Sequence, residues 1–222
     1  MIIDDEYTGM KEKYYEQAQT KIGVLSGVVK GLNEFVKKYD SAKQTMNSDI
    51  REIKNTYTPA SSVFDIKHME IYNTFNDTVA QIREESKEQI QNIIQQVRDK
   101  ISAIIASDFP EGTMSNITMI KNFVGNLSDD EIKVFLNKYE HNYLATKVIF
   151  DAMKEGQAER IGVEFLSLND IMHSLDLIER NALAMVRTYN GAISYGVAVM
   201  LDGSEVQKVN DAFESFVSTY EG

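Results

Sequence analysis

Between residues 25 and 53 apolar side chains recur every seven residues. Leu25, Leu32, Tyr39, Met46 and Ile53 hold one register, and Val28, Phe35 and Ala42 hold the position three residues further on. Where that second register reaches Asp49, Ile50 takes over. A heptad period sustained over five repeats marks a helix whose apolar stripe meets another helix along its length. It predicts one helix from about Tyr7 to Tyr57. Within it Gly23, Gly27 and Gly31 are four apart and line one face. Glycine inside a helix costs roughly 1 kcal/mol, so the spacing predicts close approach of a second helix, or a kink near Gly31-Leu32-Asn33.

The chain has two prolines, Pro59 and Pro110, and the segment between them contains no glycine. The residue before proline is pushed out of helical geometry, so both sites read as helix boundaries. Between them Phe75, Val79 and Ile82 form one apolar stripe, and Ile90, Ile93, Val97, Ile101 and Ile104 form another. Arg83–Gln89 is polar nearly all round and reads as a solvated stretch or a stutter in the repeat. Two long helices joined by a short proline-containing connection predict an antiparallel, coiled-coil-like hairpin over residues 7–108, with arms of about 70 Å.

After Pro110 the pattern predicts shorter helices in a compact helical domain, residues 111–222. A short helix is expected near Ile117–Phe123. Ser128-Asp129-Asp130-Glu131 reads as a capping box opening a helix. Its apolar positions are Ile132, Phe135, Leu136, Tyr139, Val148, Ile149 and Ala152, and it ends near Gly156. Another helix runs from about Leu168 to Tyr189, with Ile171, Leu175, Ile178, Ala182, Met185 and Tyr189 inward, stopped by Asn190-Gly191. A last one starts at Ser204 and carries Val209, Phe213, Phe216 and Tyr220. Ala192–Leu201 alternates like a strand but shows no partner, and is read as helical or irregular because a lone strand leaves its backbone unsatisfied. The fold class is therefore all-α.

Charge and composition narrow the function. The net charge is −11, and residues 161–222 contribute −6 of it. Such a surface repels phosphate backbones, so no direct nucleic-acid binding is expected. There is no cysteine, which excludes disulfides, thiolate metal sites and cysteine nucleophiles. The acidic start Met1-Ile2-Ile3-Asp4-Asp5-Glu6 is unlike a secretory leader, and no apolar run reaches the ~18 residues of a membrane span. The expected location is the cytoplasm, or a virion if the chain is of phage origin.

Candidate chemistry is sparse. Asp65-Ile66-Lys67-His68 and Asp170-Ile171-Met172-His173 both read Asp-Ile-x-His. On a helix each pair, Asp65 with His68 and Asp170 with His173, presents a carboxylate and an imidazole on one face, the half-site geometry of a helical-bundle metal centre. The two further carboxylates that such a centre needs are not singled out by any motif. There is no glycine-rich phosphate loop and no Gly-x-Ser-x-Gly elbow. Asp202-Gly203-Ser204-Glu205 reads as a turn and helix cap rather than a calcium loop. No metal, cofactor or enzymatic activity is expected.

The run Asn137-Lys138-Tyr139-Glu140-His141-Asn142-Tyr143-Leu144-Ala145-Thr146-Lys147 resembles a segment of uncharacterised helical proteins of tailed phages and prophages of Gram-positive bacteria, in which a Lys-Tyr-x-x-Asn-x-x-Ala-like run opens a helix after a long coiled-coil region. That resemblance implies a virion-associated or morphogenesis role and carries over no catalytic residue. The functional expectation is a non-enzymatic interaction or assembly protein with protein partners, a homo-oligomer joined through its hairpin seam: Leu25, Val28, Leu32, Phe35, Tyr39, Met46, Ile53, Ile90, Ile93, Val97 and Ile101. The alternatives are an acidic regulator or inhibitor of a basic host protein, and a helical-bundle carboxylate/His metal protein.

Overall fold

The chain is all-α. A computed structural model describes residues 23–107, 113–186, 188–189, 192–193 and 203–221. The helices are α1 (Ser26–Thr56), α2 (Ser62–Ser107), α3 (Thr113–Val124), α4 (Asp129–Lys138), α5 (Tyr143–Ala152), α6 (Gln157–Ile161), α7 (Leu168–Met185) and α8 (Gly203–Tyr220). Two compact units share them. One comprises Met1–Ile94 and Leu175–Lys208, the other Gln95–Ser174 and Val209–Gly222. They interleave along the chain, unlike the sequential division at 108–111 read from the sequence, and α2, α7 and α8 each supply residues to both.

In the first unit α1 and α2 form the antiparallel hairpin. The helix expected from Tyr7 begins instead at Ser26, after a turn in which Ser26 and Gly27 donate backbone hydrogen bonds to the carbonyls of Gly23 and Val24. Residues 7–22 lie outside the described residues. The far end follows from Pro59: Tyr57 turns extended (φ −122°, ψ 148°) and α1 stops. Ser61 then opens α2, its hydroxyl accepting the Phe64 N–H at 3.2 Å. Register is fixed by Gly27 opposite Ile93, Gly31 opposite Gln89, and a Lys38–Glu85 ion pair. Tyr39, Phe75 and Val79 are buried together, with Ala42 and Met46 packed against them. The stripe on α2 differs in detail from the expected one. Ile94 is fully buried whereas Ile93 is partly exposed, and the buried Ser86 carries the seam through the polar stretch. Buried positions therefore fall at 82, 86, 90 and 94, four apart three times running, the local lengthening that a stutter produces.

At its first turns α1 is buried on most sides: Val28, Val29, Gly31, Leu32, Asn33 and Phe35 are all inside. One facing helix cannot cover so wide an arc. The same unit contains the buried Leu175, Ile178, Ala182 and Val186 of α7 and its continuation. α7 ends at Met185, so Tyr189 is not helical as expected. Thr188–Tyr189 and Ala192–Ile193 form a minimal antiparallel ladder, Thr188 opposite Ile193 and Tyr189 opposite Ala192. Ala192–Ile193, the start of the alternating segment, thus has a partner strand immediately before it, hidden in the sequence because Tyr189 also fits the helical period of α7; residues 194–202 lie outside the described residues.

In the second unit Ile120, Val124, Ile132, Ala145, Ile149 and Ile161 form the core, with α3 lying against α5 and α4 against α5 and α6. α3 is longer than the short helix expected near Ile117–Phe123. The single helix expected from Ser128 to near Gly156 is two. α4 ends at Lys138, and Asn142 caps α5 by accepting the Ala145 N–H at 2.7 Å, while the Thr146 hydroxyl donates back to the Tyr139 carbonyl. The capping box is present as read: the Ser128 backbone N–H and hydroxyl both donate to Glu131 Oε2, at 2.8 and 2.7 Å. α6 sits between Gly156 (φ 70°) and Gly162 (φ 69°), left-handed conformations that favour glycine. Tyr143 closes the unit, its ring centroid 5.4 Å from those of Phe165 and Phe216 and 5.3 Å from that of Tyr220.

Candidate interaction surface

The residues expected to mediate association are largely inside. Leu25, Val28, Leu32, Phe35, Tyr39, Ile53 and Ile90 are buried within this one chain, and Met46 and Ile93 are partly so. Val97 and Ile101 are also buried, but they belong to the second unit, beyond the point where Ile93 faces the first turn of α1. The seam is an internal packing surface. Two of the three glycines serve it: a Cβ on Gly27 would stand 2.9 Å from Ile93 Cδ1, and one on Gly31 would stand 3.5 Å from the Gln89 amide carbon. Gly23 is not part of this face, since it lies in the turn before α1.

The two Asp-x-x-His pairs lie in different units. Among the described residues no group of three His, Asp or Glu side chains is placed to hold a metal ion. The His68 ring is occupied otherwise, between Phe64 (centroids 5.6 Å) and Tyr72 (4.8 Å) on one face of α2. Asp170 and His173 are exposed on α7. No helix among the described residues is long and apolar enough to cross a membrane.

What stands open is the distal end of the hairpin. Tyr57 in the connection and Val63, Ile66, Met69 and Tyr72 on the first turns of α2 are exposed by 36%, 46%, 57%, 64% and 42%. The cause lies in the helical period. Phe75 is buried against Tyr39, and Phe64, His68 and Ile71 on its side of α2 are partly buried, so the second apolar series at 63, 66, 69 and 72, three residues apart, winds round the exposed side of the helix. Lys67 and Glu70 border this ridge and pair at 2.7 Å; the hydrogen bond and charge of Glu70 raise the Lys67 pKa. Scattered exposed apolar residues need no explanation, but five within residues 57–72 are concentrated at one end of the hairpin, a clustering of the kind that marks contact surfaces. Among the described residues, Met119, Phe123 and Val134 are the exposed large apolar side chains of the second unit. The signal in the sequence was a helix segment carrying two apolar stripes where one suffices to pack the hairpin.

The run 137–147 falls on the α4–α5 corner, where Asn142 and Thr146 make the capping bonds and Tyr143 enters the aromatic cluster. Comparison with family models, with curated proteins and with solved structures gave no match.

Proposed function

We propose that this chain is a non-enzymatic helical interaction protein that engages a protein partner through the distal tip of its hairpin. The observation that carries the reading is the apolar ridge Val63–Ile66–Met69 on the solvent side of α2, flanked by Tyr57 and Tyr72. The seam residues, buried or partly buried within the chain, do not serve this role. A patch of two tyrosines, two aliphatic side chains and one methionine with a charged border has the composition of a contact surface. The resemblance of residues 137–147 to helical phage proteins is what suggests a virion or morphogenesis setting. A photo-crosslinking amino acid at Met69, compared with one at the exposed shaft position Asn92, tests the reading in the native source. Adducts are expected at Met69 in excess of Asn92, and equal or absent adducts at the tip would refute it.

The acidic-regulator reading draws on the −6 carried by residues 161–222. It predicts partner binding that weakens steeply with salt, whereas apolar tip binding changes little.

A further inference from the structure

The hairpin is held unevenly along its length. Towards the start of α1, Val28, Leu32, Phe35 and Tyr39 are buried, as are Val79, Ile82, Ser86, Ile90 and Ile94 on α2. Contacts cross between the helices there: the Lys38–Glu85 ion pair at 2.9 Å, Gly27 opposite Ile93, and the Tyr39 ring 6.0 Å from that of Phe75. Beyond the Tyr39–Phe75 layer the support thins. Over residues 47–74 Ile53 alone is buried, and Ile50, Phe64, His68 and Ile71 are partly so. Side-chain bonds in this stretch are local: Thr56 to Glu52, Lys67 to Glu70, Thr74 to Glu70, and the His68 ring beside Phe64 and Tyr72. Among the described residues no hydrogen bond, ion pair or aromatic contact joins α1 to α2 there.

Helices in water draw most of their stability from packing, and pieces shorter than ~12–15 residues are marginal without it. Local sequence does not make up the difference. Asn47, Ser48, Asp49, Asn55 and Thr56 on α1, and Asn73 and Thr74 on α2, are weak helix formers. A segment with so little burial and no bond across the seam opens far more readily than the whole protein unfolds. We infer that residues 47–74 are a separate opening unit: the tip unzips from the Pro59 connection back to the layer of Tyr39, Phe75 and Val79 while the rest of the hairpin stays folded. Val63, Ile66 and Met69 share a ridge only while α2 is helical there, so closing the tip is the step that makes the surface. That last consequence rests on the reading of the tip as a binding surface.

Hydrogen–deuterium exchange on the full chain tests the unit. Amides of residues 50–56 and 64–72 are expected to exchange about 100-fold or more faster than those of 28–39 and 79–94, with one common opening equilibrium for both arms of the tip. Ile53→Ala removes the buried side chain and should speed exchange in 47–74 by about tenfold or more, leaving 28–39 and 79–94 unchanged. Ser48→Ala combined with Asn73→Ala, both at exposed positions, should slow it by about 3–10-fold through helix propensity alone, and should increase capture by a photo-crosslinker at Met69. Protection in 47–74 equal to that in 79–94, or an Ile53→Ala effect that spreads over the whole hairpin, would overturn the separate unit. Capture that ignores the Ser48 and Asn73 changes would overturn the coupling of closure to binding. If exchange behaves as expected while Met69 captures no partner, the opening unit stands and the tip reading falls.

Discussion

Gly27 and Gly31 share a face and a helix, yet the structure gives them different weights. At Gly31 an added methyl would make ordinary van der Waals contact with Gln89. Gly31→Ala is expected to stabilise the protein by about 0.5–1 kcal/mol, because alanine restricts the unfolded chain and favours the helix. At Gly27 the same methyl meets Ile93 Cδ1 at 2.9 Å. Turning that side chain off its rotamer costs about 0.5–1.5 kcal/mol, so Gly27→Ala should come out near zero or slightly destabilising. Denaturant midpoints of the two variants check the contrast. Asn76 gives a third case. Its Oδ1 is buried with no hydrogen-bond partner among the described residues, and leaving such an acceptor unpaired costs about 1–3 kcal/mol. Asn76→Leu, similar in shape and a better helix former, should raise stability by about 1 kcal/mol, and an unchanged or lower midpoint would show that the amide is satisfied in solution.

For the elements, the hairpin and the start of α4 make separate predictions. Leu32 is buried in the seam, so Leu32→Ala should cost about 2–5 kcal/mol in equilibrium unfolding, the behaviour of a core residue rather than of a subunit contact. At α4, the Gln157 amide and the Arg160 guanidinium hold the Asp129 carboxyl below its ordinary pKa, and the Ser128 backbone N–H and hydroxyl do the same for Glu131. Both pKa values are lowered on folding, so the unfolded chain binds more protons and stability rises with pH across that window. The contribution is complete above the ordinary carboxylate range and disappears as pH falls through the depressed values. Unfolding of wild type and of an Asp129→Asn, Glu131→Gln variant should therefore differ at neutral pH and converge in acid. These elements were legible in the sequence because each rests on local chemistry: Pro59 and the heptads for the hairpin, Ser128 and Glu131 for the cap. What was not legible depended on neighbours. Ser86 is polar by type and reaches the seam only because the spacing lengthens there. Asn190-Gly191, which stands between the two paired dipeptides, is as good a hairpin signal as a helix stop. Val63, Ile66 and Met69 look like any apolar helix positions until α1 is seen to take the other stripe.

At the scale of the whole molecule the two units do not correspond to two stretches of chain. The first needs Leu175–Lys208 and the second needs Val209–Gly222. Val186 and Leu175 are buried in one, and Phe216 and Tyr220 surround Tyr143 in the other. Cutting at residue 110 is therefore expected to release neither a folded hairpin nor a folded helical domain. Backbone amide exchange in a 1–110 fragment should lack the protection that α1 shows in the full chain. The same interleaving governs how the protein is made. A chain that emerges from the ribosome from its N-terminus can complete successive domains one after another. Here the hairpin is made long before Leu175–Lys208 of the same unit, so the side of α1 that α2 does not cover stays open while residues 95–208 are translated. The vulnerable period of this protein is the time taken to translate that stretch.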